Sequence, residues 1–550
     1  MKSKYCFFVF LFSFLNMAHV ALGQDLALTL DDTLRGSITP ERLWWDLTFY
    51  DLKVKVNPAD STVSGSNTIH YKVLSENNIL QIDLQPPLSV LKITQEGKEL
   101  SYTRQGNNAY FVKLKTPQYK GQLKSIRVEY SGNPKVAVHA PWDGGFSWSF
   151  DVNKNPFVAT SCQGLGASVW WPCKDHMYDE PDSMSISVTV PKNLMDVSNG
   201  RLRQTIDNSD GTKTFNWFVQ NPINNYGVNV NIANYVHFDE DYQGEKGKLT
   251  IDYYVLPENL NKAKKQFKQV LMMLKAFEHW FGPYPFYEDG YKLVEVPYLG
   301  MEHQSSVTYG NQYINGYLGM DLSGSGWGLK WDFIIIHESG HEWFANNITY
   351  KDIADMWIHE SFTNYSENLY TEYFYGKEAG SAYVIGTRSG IRNDVPIIGT
   401  YNVNKEGSGD MYPKGGNMLH TIRQIIDNDE KWRQILRGLN KDFYHQTVST
   451  ADIENYIIKK SGKDLQKVFD QYLRHTDIPV LEYSVTKNSV KYRWANCIKG
   501  FNMPIKVTLE KGKYSFILPT TDWQVTPCQV KSNNDFKVEA NFYVQAKKVE

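Results

Sequence analysis

The stretch that determines the fold is Phe-Ile-Ile-Ile-His-Glu-Ser-Gly-His-Glu-Trp-Phe-Ala, which occupies residues 333–345. Within it, His337 and His341 stand four positions apart, so on a helix both imidazoles lie on one face and can bind the same metal ion. Glu338 stands beside them. The apolar residues on either side predict that the rest of this helix is buried, which holds metal ligands rigidly. The pattern predicts a metal-binding helix inside a folded domain.

A third ligand is predicted on a second helix. Glu360 stands in the run Trp-Ile-His-Glu, and no Gly or Pro interrupts residues 351–375. Two His and one Glu are typical of a catalytic zinc site, because three protein ligands leave the fourth tetrahedral position open. The predicted cofactor is one zinc ion per chain. Cobalt or manganese can use the same ligands, and a chance motif on a charged helix is the remaining alternative.

Length, charge and the N-terminus limit the classes of protein that the chain can be. It has 550 residues, 41% of them hydrophobic, and a formal net charge of −2. These values predict a globular protein of two to four domains and give no electrostatic reason to expect a nucleic-acid partner. Residues 1–23 combine Lys2 and Lys4, a short apolar run and a small-residue end at Gly23, the pattern of a secretory signal peptide. We expect export, periplasmic or secreted, and no stable membrane insertion; an uncleaved anchor is the alternative.

The cysteines are predicted to form two disulfides in an exported protein. Cys6 lies in the signal peptide, and the other four form two local pairs, Cys162 with Cys173 and Cys497 with Cys528. An oxidising compartment favours both disulfides. Four buried thiols are the alternative, because spacing alone does not determine connectivity.

Hydrophobic periodicity divides the chain after the signal peptide into three regions: 24–245, 246–476 and 477–550. The first carries short alternating apolar runs, such as that containing Leu52 and Val54, separated by turn residues. Alternation with frequent turns predicts an antiparallel β domain.

The second and third regions differ in period. Residues 246–476 show the helical period and a capping pattern from Ser449 to Asp452. Residues 477–550 return to alternation, including a last run over 536–544, which predicts a C-terminal β sandwich. The predicted class is an α+β multidomain protein, with a mainly helical catalytic domain between two β domains and no long helical C-terminal domain.

Several motifs resemble the aminopeptidase N family of zinc metallopeptidases, a gluzincin family related to leukotriene hydrolase. Besides the zinc motif, the resemblance is carried by Ser161-Cys162-Gln163, Trp171-Pro172-Cys173-Lys174-Asp175, Phe281-Gly282-Pro283-Tyr284-Pro285, Gly300-Met301-Glu302 and Tyr412-Pro413-Lys414-Gly415. It implies a thermolysin-like catalytic domain. It also implies the activity, which is hydrolysis of the first peptide bond of peptides that have a free N-terminus.

The resemblance implies two catalytic residues. Glu338 is the expected general base for the water that zinc activates. Tyr412 is the expected donor to the oxyanion that develops at the scissile carbonyl. The alternative for Tyr412 is an ordinary loop aromatic without a catalytic role.

The resemblance also implies the substrate-binding residues: Gln163, Gly300, Met301, Glu302 and Glu360. Glu302, Gln163 and Glu360 are expected to bind the α-ammonium group and so hold the first peptide bond over the metal. The alternatives are a surface carboxylate for Glu302 and a structural amide for Gln163.

Two residues and the C-terminal region depart from the family pattern. His303 stands where the family usually has Asn, and Ser361 stands where it usually has Gly. Most relatives end in a long helical domain that roofs the active site. The β pattern at the end of this chain therefore predicts a cleft that is more open to long peptides.

The leading function is a zinc aminopeptidase. Epoxide hydrolysis of the leukotriene hydrolase type is a second enzymatic alternative. A non-catalytic peptide-binding protein is the alternative from another class, and it requires the loss of a catalytic residue. The motifs retain all of them.

Overall fold

The structure is a computed structural model that describes residues 28–549. It contains a β-rich region, a helical region and a second β-rich region in that order, which confirms the predicted α+β class. The signal peptide predicted over residues 1–23 lies outside the described residues. Among the described residues, no helix is both long and apolar enough to cross a membrane.

An eight-stranded sheet forms the centre of the first region. Its strands, in spatial order, are Arg201–Asp207, Thr212–Val219, Ser183–Pro191, Trp45–Asn57, Thr62–Val73, Leu123–Gly132, Ser89–Gln95 and Lys98–Glu99. Neighbours are antiparallel with one exception, since Trp45–Asn57 runs parallel to Ser183–Pro191, with Leu52 opposite Ile186. The domain predicted as antiparallel therefore contains one parallel pair. Leu52 and Val54 are buried, as the alternation predicts.

Two smaller sheets complete this region. One contains Asn77–Asp83, Ala109–Gln118 and Ser101–Gln105; the other contains Met195–Val197, Asn231–Ala233, Pro156–Ser161 and Gly145–Phe150. The strand Pro156–Ser161 ends just before Gln163. This sheet therefore positions one of the predicted substrate-binding residues.

The helical region is built on a five-stranded sheet. Its strands are Val236–Gly244, Gly247–Val255, Tyr291–Glu295, Val307–Tyr309 and Gly300–Met301. Its α-helices are Leu260–Gln266, Lys268–Phe281, Phe333–Gly340, Trp357–Tyr375, Lys377–Gly386, Pro413–Ile426, Asp429–Asp442, Thr450–Ser461 and Gln466–Arg474. The short strands Ile348–Tyr350 and Gln446–Val448 also pair. The boundary predicted at residue 245 falls in the turn between the first two strands of the sheet.

Local signals explain where several helices begin. Asp332 accepts the N–H groups of Ile334 and Ile335 and so starts the helix Phe333–Gly340. The capping box predicted at Ser449 and Asp452 is confirmed, with both of its hydrogen bonds present.

The second ligand helix begins later than predicted. It spans Trp357–Tyr375, whereas the absence of Gly and Pro predicted helix from residue 351. Asp352 accepts the N–H of Ala354 and starts a separate 3₁₀ turn, Ile353–Asp355. A capping side chain therefore interrupts a run that has no Gly or Pro.

The C-terminal β-rich region contains two sheets. One has Gln524–Pro527, Ser489–Ala495, Val480–Val485 and Gln545–Lys548, and the other has Ile505–Glu510 and Lys513–Ile517. The strand predicted over 536–544 is wrong, because this segment forms only one bridge, from Val538 to Val507. The chain turns instead, and the Tyr543 N–H donates to Thr421 Oγ1 on the helix Pro413–Ile426 at 3.0 Å.

The disulfide predictions are also wrong. Four cysteines among the described residues are free thiols: Cys162, Cys173, Cys497 and Cys528. Ser489 pairs with Pro527, so Cys528 lies near the start of the strand Ser489–Ala495 and Cys497 lies beyond its end. Those two thiols are therefore at opposite ends of one strand.

The two N-terminal cysteines have separate hydrogen-bond partners. Cys173 exchanges two backbone hydrogen bonds with Asp83, and the Cys162 thiol donates to the Tyr226 carbonyl at 3.6 Å. Burial raises the pKa of both thiols. They remain protonated and unreactive at neutral pH.

Candidate active site

Two histidines and a glutamate converge in the helical region. His337 lies on the helix Phe333–Gly340, His341 caps its end, and Glu360 lies on the helix Trp357–Tyr375. One ligand atom of each lies within 4.8 Å of the others, and all three residues are buried. Oε2 of Glu360 is 3.8 Å from Nε2 of His337 and 3.4 Å from Nε2 of His341. The structure therefore brings the three predicted ligands together.

This cluster fits a zinc ion. Oε2 of Glu360 is buried without a hydrogen-bond partner, and such an oxygen is costly unless a cation or a donor satisfies it. Tetrahedral zinc with ligand bonds of about 2.0 Å separates its ligand atoms by about 3.3 Å, close to the spacing found here. Two imidazoles and a carboxylate suit this metal. The chain therefore has a site for one zinc ion.

Each histidine is oriented through its other ring nitrogen. Nδ1 of His337 lies 2.7 Å from a carboxylate oxygen of Glu367. Nδ1 of His341 lies 3.1 Å from the Phe344 carbonyl and 3.1 Å from the Thr363 hydroxyl. Such partners fix the ring orientation and the tautomer, so that Nε2 is free to bind the metal.

Glu367 is a functional residue that the sequence reasoning missed. It also accepts a hydrogen bond of 2.6 Å from the Tyr383 hydroxyl, which holds its carboxylate against His337. A signal was present, because Glu367 stands seven positions after Glu360 and so lies on the same face of one helix. The helix contains many other polar residues, so the spacing between Glu360 and Glu367 did not single out Glu367.

Glu338 lines the cavity beside the ligands. A methyl group on Gly300 would lie 2.6 Å from Cγ2 of Ile334 and 3.2 Å from Cγ of Glu338. The strand Gly300–Met301 therefore approaches the zinc helix this closely only because residue 300 is glycine. Burial raises the pKa of Glu338. A carboxylate with a raised pKa is a stronger proton acceptor, as a general base requires.

The residues expected to bind the substrate ammonium group lie at the same site. Glu302 is 3% exposed, and one of its oxygens lies within 4.8 Å of ligand atoms of Glu338 and His341. Gln163 reaches in from the β-rich region, and its amide Nε2 donates to Oε1 of Glu360 at 2.9 Å. The site is therefore assembled from two regions of the chain.

Tyr226 is a second residue that the sequence reasoning missed. Its hydroxyl donates to a carboxylate oxygen of Glu302 at 3.1 Å, and the Asn346 side chain donates to the Glu302 carbonyl at 2.8 Å. Tyr226 belongs to the β-rich region, and no local pattern links it to Glu302. Only the tertiary fold reveals this contact.

Tyr412 lies just before the helix Pro413–Ile426, with its ring centroid 6.0 Å from that of His337. Ser361 holds this turn, because its hydroxyl donates to the Met411 carbonyl at 2.6 Å. The serine that departs from the family pattern thus connects the ligand helix to the Tyr412 turn. Burial raises the pKa of Tyr412 well above its usual range, so its hydroxyl stays a donor.

The other departure, His303, lies outside the cavity lining. It is fully buried, with Nδ1 3.3 Å from the Thr308 hydroxyl. Burial lowers the pKa of His303 to about 3, so the ring is neutral. It adds no charge beside Glu302.

A single cavity of about 630 Å³ contains the site. The predicted metal, catalytic and substrate-binding residues all line it: Gln163, Gly300, Met301, Glu302, His337, Glu338, His341, Glu360 and Tyr412. Trp142 and Leu322 also line it and are exposed, so the cavity opens to the surface. It is large enough for several residues of a peptide.

Comparisons with known proteins agree with this site. The family model described as "Peptidase M1 N-terminal domain" matches residues 47–226. The model described as "Peptidase family M1 domain" matches residues 265–472. An M1 zinc metallopeptidase from Deinococcus radiodurans has the same fold, with a TM-score of 0.66 and 20% identity over 80% of this chain and 95% of that chain.

Several named proteins are similar to this chain at low sequence identity. "Probable aminopeptidase 2" of Sulfurisphaera tokodaii is 20% identical over 81% of this chain and 57% of its own length. "Endoplasmic reticulum aminopeptidase 1" of Mus musculus is 22% identical over 65% of this chain and 39% of its own length. "Leukotriene A-4 hydrolase" of Xenopus laevis is 22% identical over 76% of this chain and 68% of its own length. The chain thus spans about half the length of the first two relatives.

The fold and the His₂Glu cluster define a zinc metallopeptidase of the gluzincin class. Within that class, the two domain matches, which follow each other along the chain, identify one family. The chain belongs to peptidase family M1.

We predict that Glu367 sets the affinity for zinc. Replacing it removes the acceptor that orients His337, and lost support of this kind costs about 10-fold to 100-fold in metal affinity. We expect the loss of zinc affinity to lie near the lower end of this range for Glu367→Gln and near the upper end for Glu367→Ala. Competition with a chromophoric chelator measures the affinity. Glu378→Gln, an exposed position on the helix Lys377–Gly386, is the control and should bind zinc like wild type. Equal affinities in all four proteins would contradict the assignment.

Proposed function

We propose that the protein is a zinc-dependent aminopeptidase that removes the first residue of peptides with a free N-terminus. The observation that carries the proposal is the position of Glu302, whose carboxylate lies within 4.8 Å of Glu338 and His341. A carboxylate at this point can bind the α-ammonium group, so that only the first peptide bond reaches the metal ligands. Family membership and the names of the relatives support the same activity.

Glu338 is the general base of the proposed reaction. Zinc, when held by His337, His341 and Glu360, supplies a Lewis acid that polarises the scissile carbonyl and lowers the pKa of water. The Glu338 carboxylate takes a proton from the attacking water as the new C–O bond forms. It gives that proton to the amide nitrogen as the C–N bond breaks, so the products are a free amino acid and a shortened peptide.

Glu302 and Gln163 position the substrate. The Tyr226 hydroxyl and the buried surroundings fix the Glu302 carboxylate, so little conformational entropy is lost when it binds an ammonium group. Gln163 uses its amide N–H to hold Glu360, which leaves its amide oxygen to accept a hydrogen bond from the substrate. Binding at this end aligns the carbonyl of the first residue with Glu338.

Tyr412 stabilises the developing negative charge. Tyr412 lines the cavity, and burial raises the pKa of its hydroxyl, so this group can donate to the oxygen of the scissile carbonyl as that oxygen becomes an oxyanion. Donors of this kind contribute mainly in the transition state. They therefore act on kcat more than on KM.

Hydrolysis of paired substrates tests the proposed function. Fluorogenic aminoacyl amides should be cleaved, and their N-acetylated counterparts should not, because acetylation removes the charge that Glu302 binds. Chelation should abolish cleavage and added zinc should restore it. Glu338→Gln, with its zinc content verified, should lower kcat by about 10²–10⁴-fold.

Two outcomes would count against parts of this proposal. Cleavage of the acetylated set would remove Glu302 and Gln163 from substrate recognition. Failure of the zinc-loaded protein to cleave any amide would reject aminopeptidase activity and favour a peptide-binding protein or an epoxide hydrolase.

A second prediction concerns Tyr412. Tyr412→Phe removes only the donor and should lower kcat by about 10²–10³-fold, with little change in KM. Steady-state kinetics at matched zinc content measure kcat and KM separately. Tyr317→Phe, which changes another tyrosine of the same cavity, is the control and should retain kcat within a few-fold. Equal losses in the two variants would show that Tyr412 has no special role.

We also propose that the protein is exported. The signal pattern of residues 1–23 supports this proposal. When the full chain is produced in its own compartment, mass spectrometry of the mature protein should find Gln24 at the N-terminus. Leu11→Arg combined with Phe14→Arg breaks the apolar run and should leave an uncleaved chain inside the cell. A wild-type protein that retains residues 1–23 would contradict cleavage after Gly23.

A further inference from the structure

Glu406 is a carboxylate of the cavity that has no assigned role. Two carboxylates that line the cavity, Glu338 and Glu406, make no side-chain hydrogen bond or ion pair with any residue that the structure describes. Glu338 is explained by its proton transfer. Glu406 is an exposed residue, and the proposed reaction gives its carboxylate no role.

The segment that carries Glu406 is anchored on both sides. The Asn404 side chain donates to the Gly164 carbonyl at 3.0 Å, next to Gln163. The Ser408 N–H donates to the Pro396 carbonyl at 3.0 Å. These contacts fix the backbone on both sides of Glu406 and keep this residue at the cavity wall.

Glu406 lies at the end of the cavity where the first residue of a peptide binds. The Asn404 contact places its segment against the segment that carries Gln163, which belongs to the proposed ammonium site. Glu406 lines the same cavity as Gln163 and Tyr412. Its charge is therefore close to the first-residue side of the metal ligands.

No positively charged side chain balances Glu406. Among the described residues that line the cavity, none is Lys or Arg. A cationic substrate side chain meets an unpaired anion there, whereas an acidic side chain meets only repulsion. Guanidinium suits the position best, because its planar fork can donate two parallel hydrogen bonds to one carboxylate.

We infer that Glu406 selects peptides whose first residue is cationic, with arginine preferred, by binding the charged end of that side chain. This inference rests on the proposed aminopeptidase function and specifies its substrate class. The α-ammonium group is bound by Glu302 and Gln163, and Glu406 binds the side chain of the same residue.

Arginine and citrulline amides test this inference, because the two side chains have nearly the same shape and differ in charge. Wild type should cleave the arginine amide with kcat/KM about 10-fold higher than the citrulline amide. This ratio should fall close to one in Glu406→Gln and below one in Glu406→Lys. Because the ratio is taken within one preparation, it is independent of zinc content and folded fraction.

A matched variant and salt provide controls. Glu76→Gln changes an exposed glutamate of the β-rich region that has no partner among the described residues, and it should keep the wild-type ratio. Raising ionic strength should lower the ratio in wild type and leave it unchanged in Glu406→Gln, since only the former depends on a partly exposed charge pair.

The outcomes separate this inference from the proposed function. A wild-type ratio near one, or a high ratio retained in Glu406→Gln, overturns the role of Glu406 while cleavage of leucine amide still supports an aminopeptidase. If no amide is cleaved, the proposed function fails. Calorimetry of arginine amide and citrulline amide with the zinc-loaded protein then decides the role of Glu406, since equal affinities reject it and a Glu406-dependent preference supports it.

Discussion

The close packing of the helices that carry the metal ligands is the constraint on which the rest of the site depends. A methyl group on Gly340 would lie 2.7 Å from the Ser366 hydroxyl, so this approach requires glycine. The rings of Phe344 and Phe362 stack beside it with centroids 4.5 Å apart. A ligand helix displaced outward by even one methyl group would move Glu360 out of reach of a shared metal ion. The same principle brings in a third helix, because a methyl group on Gly415 would meet the Ser361 hydroxyl at 1.8 Å.

Charge imposes the second requirement on this site. Glu302 and Glu360 are almost fully buried, and burying carboxylates without compensation is costly. Burial opposes a charge on His341, but the neighbouring Glu360 raises the pKa of His341, which favours a bound proton there when no metal is bound. A bound dication replaces that proton, so metal binding is coupled to proton release. A bound cation therefore compensates for the cost of burying these acidic groups.

The sequence made the local parts of the site predictable and left the nonlocal parts open. His337 and His341 follow from helical spacing, and Glu360 follows from a second uninterrupted helix. The support from Tyr226 and Ser361 joins residues far apart in sequence, so no spacing rule finds it. The cysteine pairs failed for a related reason, because strand register rather than separation along the chain sets the distance between Cys497 and Cys528.

The errors in secondary structure have the same physical origin. Alternation predicted a strand over 536–544, but the pairing there is limited to the bridge between Val538 and Val507, and the Tyr543 N–H donates to Thr421 instead. A backbone group only needs a partner, and a helix surface can supply one as well as a strand. Likewise, the N-terminal region was predicted as antiparallel because each strand looks alike in sequence, whereas the pairing of Leu52 with Ile186 is parallel. Periodicity reports which face of an element is buried, and the direction of its neighbours depends on the rest of the chain.

The contact between Gln163 and Glu360 shows why the β-rich region belongs to the catalytic unit. Gln163 occupies one oxygen of Glu360, which leaves the other oxygen for the metal. The Gly164 carbonyl accepts hydrogen bonds from both Arg35 and Asn404, at 3.2 and 3.0 Å, and these two donors come from opposite sides of the domain boundary. The loop that orients a zinc ligand is therefore fixed only when the two regions are docked. Metal coordination, the proposed recognition of the ammonium group and the placement of Glu406 all depend on that one interface.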